Sequence, residues 1–118
     1  MENPKLFDLT EIENLAGGDS VFITKMLETF SYTVPPFIER MKIALKDKNL
    51  SELSHIGHRL KPSFHYLGRP DLNALLGILE NGDGSKNETE IFAAANKFLT
   101  GSALMMIDVD EHLEKLKS

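Results

Sequence analysis

Apolar side chains recur at three- and four-residue steps in the stretches between Gly17-Gly18, Pro35-Pro36, Gly68-Arg69-Pro70 and Gly82-Asp83-Gly84-Ser85, with no sustained alternation of period two. Such a repeat puts its apolar residues on one side of the backbone only when the chain is helical, and the proline and glycine clusters punctuate the helices. The chain is therefore predicted to be all-α. Start signals agree: Thr10 with Glu13, Asn49 with Glu52 and Asn87 with Glu90 each have capping-box spacing ahead of an apolar stripe.

Between those starts, Asp19 can cap a helix running to about Tyr32 with Val21, Phe22, Met26, Leu27 and Phe30 inward. Pro35-Pro36 suits the first turn of the next helix, which is expected to end near Lys48. The last segment repeats Ile91, Ala95, Phe98, Ser102, Met105, Val109, His112/Leu113 and Leu116 as a narrow stripe. At about 1.5 Å per residue over roughly thirty residues it makes a rod about 45 Å long, which needs neighbours along its length. Short links favour antiparallel packing, so the expected architecture is an antiparallel up-and-down four-helix bundle with a short additional N-terminal helix.

A chain of 118 residues, 42% of them hydrophobic, supplies one core rather than two, so residues 1–118 read as a single domain. Cysteine is absent, which removes disulfide frameworks, thiolate nucleophiles and the usual structural zinc sites. The start Met1-Glu2-Asn3-Pro4-Lys5 lacks the hydrophobic stretch of an export signal, and the apolar runs are too short for membrane insertion, so a cytoplasmic location is expected. A net charge of −5 repels the nucleic-acid backbone, which argues against a nucleic-acid partner. A monomer is the default expectation.

Chemistry concentrates between Asn49 and Leu67. On a helical wheel Leu53, Ile56, Leu60, Phe64 and Leu67 occupy a sector about 80° wide, and His58 falls about 160° from its centre. His65 lies about 20° from His58, and Lys61 and His55 about 60° to either side. The three histidines are thus expected to face outward. Residues 53 to 70 hold Arg59, Lys61 and Arg69 and no acidic residue, so the surround of His58 is expected to be basic and to favour an arriving phosphoryl dianion.

An imidazole with an ordinary pKa of about 6.5 is mostly neutral near neutral pH, and one ring nitrogen keeps a lone pair that can attack phosphorus without a general base. Lys61, one turn onward, can offset charge on the transferred oxygens. Gly57 lacks a Cβ, either to let a partner approach closely or simply to let a neighbouring helix pack.

The run Ser54-His-Ile-Gly-His58-Arg-Leu-Lys61-Pro-Ser63-Phe-His-Tyr-Leu-Gly68 resembles the signature of histidine-containing phosphotransfer (HPt) domains: a small residue, His, any residue, Leu, Lys, Gly, Ser, then Leu-Gly. Gly57, His58, Leu60, Lys61, Ser63, Leu67 and Gly68 fall on family positions. The resemblance implies that His58 is the phosphorylated residue, that Lys61 assists electrostatically, and that Ser63 and Gly68 support the helix and its exit. It implies a phosphorelay intermediate of two-component signalling without autonomous kinase activity, moving a phosphoryl group between receiver-domain aspartates. Its partners would be a response-regulator receiver domain and a hybrid sensor histidine kinase, with Mg²⁺ on the receiver and no cofactor here. Docking is expected around His58, with Arg59, Pro62, His65 and Tyr66 among the contacts.

One departure stands out: Pro62 replaces the family's glycine after the lysine. Its ring presses on the carbonyl of His58, so a kink is expected there, at about 3 kcal/mol in a helix interior unless accommodated. Two other functions compete. A metal site could use His55, His58 and His65, although they spread over two to three turns. A plain helical adaptor would leave the histidines incidental. A kinase or phosphatase has no phosphate-cradling motif to rest on, and Gly82-Asp83-Gly84 reads as a loop.

Overall fold

The computed structural model describes residues 7–82 and 87–118, all of whose regular structure is helical. The helices are α1 (Thr10–Ala16), α2 (Ser20–Lys46), α3 (Leu50–Tyr66), α4 (Pro70–Glu80) and α5 (Glu88–Lys117). Four long helices packed as α2·α3, α3·α4, α4·α5 and α2·α5 make the bundle, and α1 leans on α2 at one end. The molecule is 45 Å long, the length expected of a thirty-residue rod, and α5 has that many residues. The expected loop at Asp83-Gly84-Ser85 and the start Met1 to Lys5 lie outside the described residues.

Capping follows the sequence closely in three places. Asp19 accepts from the amides of Val21 and Phe22 at 2.9 and 3.3 Å, Asn49 from that of Glu52 at 3.1 Å, and Asn87 from that of Thr89 at 2.8 Å. Each bond satisfies a donor that the first turn leaves without a partner, at about 1 kcal/mol apiece. At the first helix the cap is shifted: Thr10 is itself helical, and Asp8 takes both its amide (2.9 Å) and its hydroxyl (2.6 Å).

The expected break at Pro35-Pro36 is absent, and α2 runs through both prolines. Its buried residues Leu27, Phe30, Val34, Met41 and Ala44 stay in phase across them, so one continuous face packs on the core. Both rings are exposed, as is Tyr32, so the missing amide bonds open toward water rather than into the interior. Val21 and Phe22, expected inward, are exposed instead. They lie beyond the point where Glu28 of α2 meets Lys117 of α5 at 3.6 Å.

The two stripes that most define the bundle are buried as expected. Leu53, Ile56, Leu60, Phe64 and Leu67 of the third helix and its exit are all within 2% of complete burial, each contributing about 1.5–3 kcal/mol of transfer free energy. Phe64 meets Phe98 of α5 edge to face, with ring centroids 4.9 Å apart. Of the α5 stripe only Leu116 and the half-buried His112 are left out, and the ring of His112 lies edge-on to Phe7, 5.5 Å away.

The α3–α4 hairpin sets the geometry of everything that follows. Gly68 has φ +67°, and around it the Gly68 amide bonds to the His65 carbonyl and the Arg69 amide to that of Phe64. That is the Schellman arrangement, which ends α3 with its last carbonyls satisfied. A Cβ on Gly68 would also meet Asp8 Cβ at 2.5 Å, because the Asp8 amide is bonded to the Leu67 carbonyl at 2.8 Å.

Candidate functional site

His58 stands on the outer side of α3 with 70% of its side chain exposed. The core sector of α3 turns the opposite edge of that helix to solvent, and His55 and His65 are exposed on it as well. The outward placement expected from the helical wheel is what the structure shows. The expected purely basic surround is not. Glu80, at the last turn of α4, puts Oε1 2.6 Å from Nδ1 of His58 and Oε2 3.0 Å from Nζ of Lys61. One carboxylate thus bridges the imidazole and the ammonium, and the charge of Lys61 is partly taken up by it.

Glu80 arrives by way of Gly57. A Cβ there would meet the Leu76 carbonyl oxygen at 2.7 Å, Leu79 Cβ at 3.1 Å and the Glu80 amide nitrogen at 3.2 Å. Absence of that atom lets the two backbones close up, and the Ser54 hydroxyl bonds the Glu80 carbonyl at 2.8 Å in the same seam. Of the two expectations for Gly57, helix packing is the one realised: the residue is buried and faces α4, not solvent.

The electrostatics favour an ionised Glu80. The hydrogen bond from His58, and then that from Lys61, hold its carboxyl below the usual carboxylate range. A carboxylate facing Nδ1 can only accept, so the imidazole presents Nδ1–H to it and leaves the lone pair on Nε2, a tautomer inferred from the hydrogen-bond network. The same carboxylate offsets positive charge on the ring if Nε2 becomes bonded to an electrophile.

An open cleft of about 360 Å³ beside His58 is lined by Lys61, Pro62, His65, Tyr66, Asn73 and Glu80. The rings of His65 and Tyr66 meet edge to face at 5.4 Å. Pro62 is exposed within an unbroken α3, so the expected disturbance does not interrupt the helix. Ser63 is half-buried, its carbonyl accepting the Leu67 amide at 3.0 Å. On the other flank Arg59 lies over the ring of Phe37, 5.9 Å from its centroid, and Arg40 lies 5.1 Å from the same ring.

Among the described residues no group of three or more His, Asp or Glu side chains is placed to hold a metal ion. The His55, His58 and His65 set is spread along the helix, with His58 turned to Glu80 and His65 to Tyr66. None of the described helices is long and apolar enough to cross a membrane.

Helical-wheel reasoning on single segments does not reach Glu80, Phe37, Arg40 or Asn73. A signal for Glu80 does exist: Gly57 and Glu80 lie eleven and twelve residues to either side of Gly68, so a tight hairpin turning there must set them side by side. For Phe37 and Arg40 the signal is masked by Pro35-Pro36, whose local rule is a helix start.

A family model for the Hpt domain matches residues 25–118. No curated protein and no solved structure matches the chain.

Proposed function

The chain belongs to the Hpt domain family, which serves phosphotransfer in two-component signalling, and from that premise we propose that His58 is the phospho-acceptor of a relay between receiver-domain aspartates. Hpt domains are phosphocarriers that interact with receiver domains and histidine kinases. The observation that carries the assignment to His58 is the contact between its Nδ1 and Glu80, which leaves Nε2 free on an exposed ring.

The Nε2 lone pair attacks the phosphorus of the partner's aspartyl phosphate in line, the N–P bond forms as the acyl P–O bond breaks, and the carboxylate of the aspartate leaves. The ring keeps its Nδ1 proton and becomes cationic, with Glu80 beside it to balance that charge. No proton has to leave, so the reverse transfer uses the same groups. Lys61 exchanges part of its bond to Glu80 for the phosphoryl oxygens. A Mg²⁺ held by the receiver would offset charge on those oxygens, and in this reading the chain itself contributes side chains rather than a cofactor. Pro62, His65 and Tyr66 border the landing site and take part in a modest, transient interface.

The test is incubation with a phosphorylated receiver domain, followed by acid and base treatment of the labelled protein. Label on a phosphohistidine is lost in acid and survives base. His58→Gln abolishes it while His55→Gln and His65→Gln retain it. Label that persists in His58→Gln overturns the assignment.

A further inference from the structure

Leu104 and Ile107 stand on the outer face of α5 with 54% and 56% of their surface exposed. Lys97, Thr100, Glu111 and Glu114 continue the same line and are exposed as well. The six fall in a sector about 100° wide, centred about 170° from the stripe that packs on the core. Helices α2 and α4 flank α5, and α3 lies across the core from it, touching through Phe64 and Phe98. None of the described helices therefore covers this sector.

A lone exposed leucine needs no explanation, but here two large apolar side chains one turn apart lie between charges of ordered sign. Positions 97, 100, 104, 107, 111 and 114 follow the alternating three- and four-residue steps of a two-helix seam. Lys97 stands seven residues before Leu104, and Glu114 seven after Ile107. Turning a second α5 about a two-fold axis between Leu104 and Ile107 sets each leucine on the isoleucine of the other copy. The same rotation sets each Lys97 opposite the other copy's Glu114 and within a turn of its Glu111. A parallel pair would instead set lysine on lysine and glutamate on glutamate, so the charges select the antiparallel one. Lys97, Glu111 and Glu114 make no ion pair among the described residues.

We infer that the outer face of α5 is a self-association surface on which two copies of this chain pair antiparallel, in place of the expected monomer. The seam is short, about 26 Å from Lys97 to Glu114, with two large apolar side chains per copy at its centre. It belongs with the weak interfaces that bury less than about 1,200 Å², and the net charge of −5 on each copy opposes it further, so the pair forms only as concentration rises. Because α3 lies on the far side of the core, both His58 rings remain exposed, on opposite sides of the pair. The inference does not depend on what His58 does.

Sedimentation equilibrium of the full chain from about 10 μM to 1 mM should show the mean mass rising toward that of two copies. Lys97→Glu is expected to lower the association constant about tenfold, since two attractions become two repulsions, and Leu104→Ser to lower it comparably. The double variant Glu111→Lys with Glu114→Lys should weaken self-association in the same way. Mixed with the Lys97→Glu chain, it should associate with that chain more strongly than either does with itself, because every facing pair of charges is then opposite in sign. The altered side chains are all exposed, and an unchanged melting temperature checks that each variant is folded. A chain that stays monomeric at 1 mM overturns the inference and leaves the face to a different partner. Association that Lys97→Glu and Leu104→Ser leave unchanged uses another surface and also overturns it. A mixture that associates no better than its components overturns the antiparallel pairing.

Discussion

Oε1 of Glu80 lies 2.6 Å from Nδ1 of His58 although twenty-two residues separate them. The contact bridges the two arms of the α3–α4 hairpin, and it sets which imidazole nitrogen carries the proton and which keeps its lone pair. Replacing Glu80 with Gln keeps the shape but removes the charge that stabilises a cationic ring. A charge-assisted bond contributes about 1.5–3 kcal/mol when shielded, and exposure of His58 reduces that toward about 1 kcal/mol, so transfer should slow about fivefold. Nitrogen NMR of the His58 ring should show the Nδ1–H tautomer in the unaltered protein and a more even mixture in Glu80→Gln. An unchanged tautomer ratio would remove Glu80 from the mechanism.

The same carboxylate makes a pH prediction with a definite sign. Its pKa in the folded state lies below the ordinary value, first because of His58 and then Lys61. The associated stabilisation is therefore complete above the ordinary carboxylate range and is lost as pH falls through the lowered value. The His58–Glu80 contact should be lost at a lower pH than that at which the exposed, unpaired glutamates of the same chain titrate. Ring chemical shifts of His58 that follow an unperturbed glutamate titration would contradict this.

Gly57→Ala should be costly for a buried contact of one methyl. The new Cβ would meet backbone atoms of Leu76 and Glu80, which cannot rotate away, so the helices must separate. Overpacking of this kind costs about 1–3 kcal/mol and should lower the urea midpoint without changing the slope. Because Glu80 moves with α4, the His58 tautomer bias should weaken in the same variant, an effect that lost stability alone would not produce.

Arg69 holds the carboxyl of Asp71 down to about 2, chiefly through a direct hydrogen bond in the first turn of α4. Arg69 is mostly covered but the Asp71 side chain is 65% exposed, so solvent screens the pair and Asp71→Asn should cost no more than about 0.5–1 kcal/mol near neutral pH. Sign and window follow from the lowered value: the contribution is present above pH 4 and fades as pH falls from about 4 to about 2. The stability difference between Asp71→Asn and the unaltered protein should close over that interval and not above it.

Pro62→Ala restores the amide that Pro62 denies to the His58 carbonyl. With the helix already continuous, the variant should be more stable by about 1–3 kcal/mol, read as a raised melting temperature. If Pro62 also tilts the reactive residue outward, the transfer rate should change along with it. Equal stability and equal rate would make the proline a neutral surface residue.

Much of the fold and the site is legible from single segments. The Leu53–Leu67 stripe, the outward histidines and the caps at Asp19, Asn49 and Asn87 all follow from residues within two or three turns of each other, where helical geometry alone relates position to direction. Pro35-Pro36 misleads because proline's local rule is a break, whereas the in-phase burial of Leu27, Phe30, Val34 and Met41 holds the helix together across it. The outward exposure of both rings is what makes that possible.

The sequence by itself determined that the chain is helical, that His58 faces solvent, and that its own helix surrounds it with basic residues. Only the tertiary structure decided that Glu80 sits on that imidazole, that Gly57 is spent on helix packing, and that Lys61 rather than Arg59 is the basic neighbour ion-paired among the described residues. Direction around one helix is a local property, repeated every turn. Which side chains meet across two helices depends on the register and separation of their packing, set by the whole core at once.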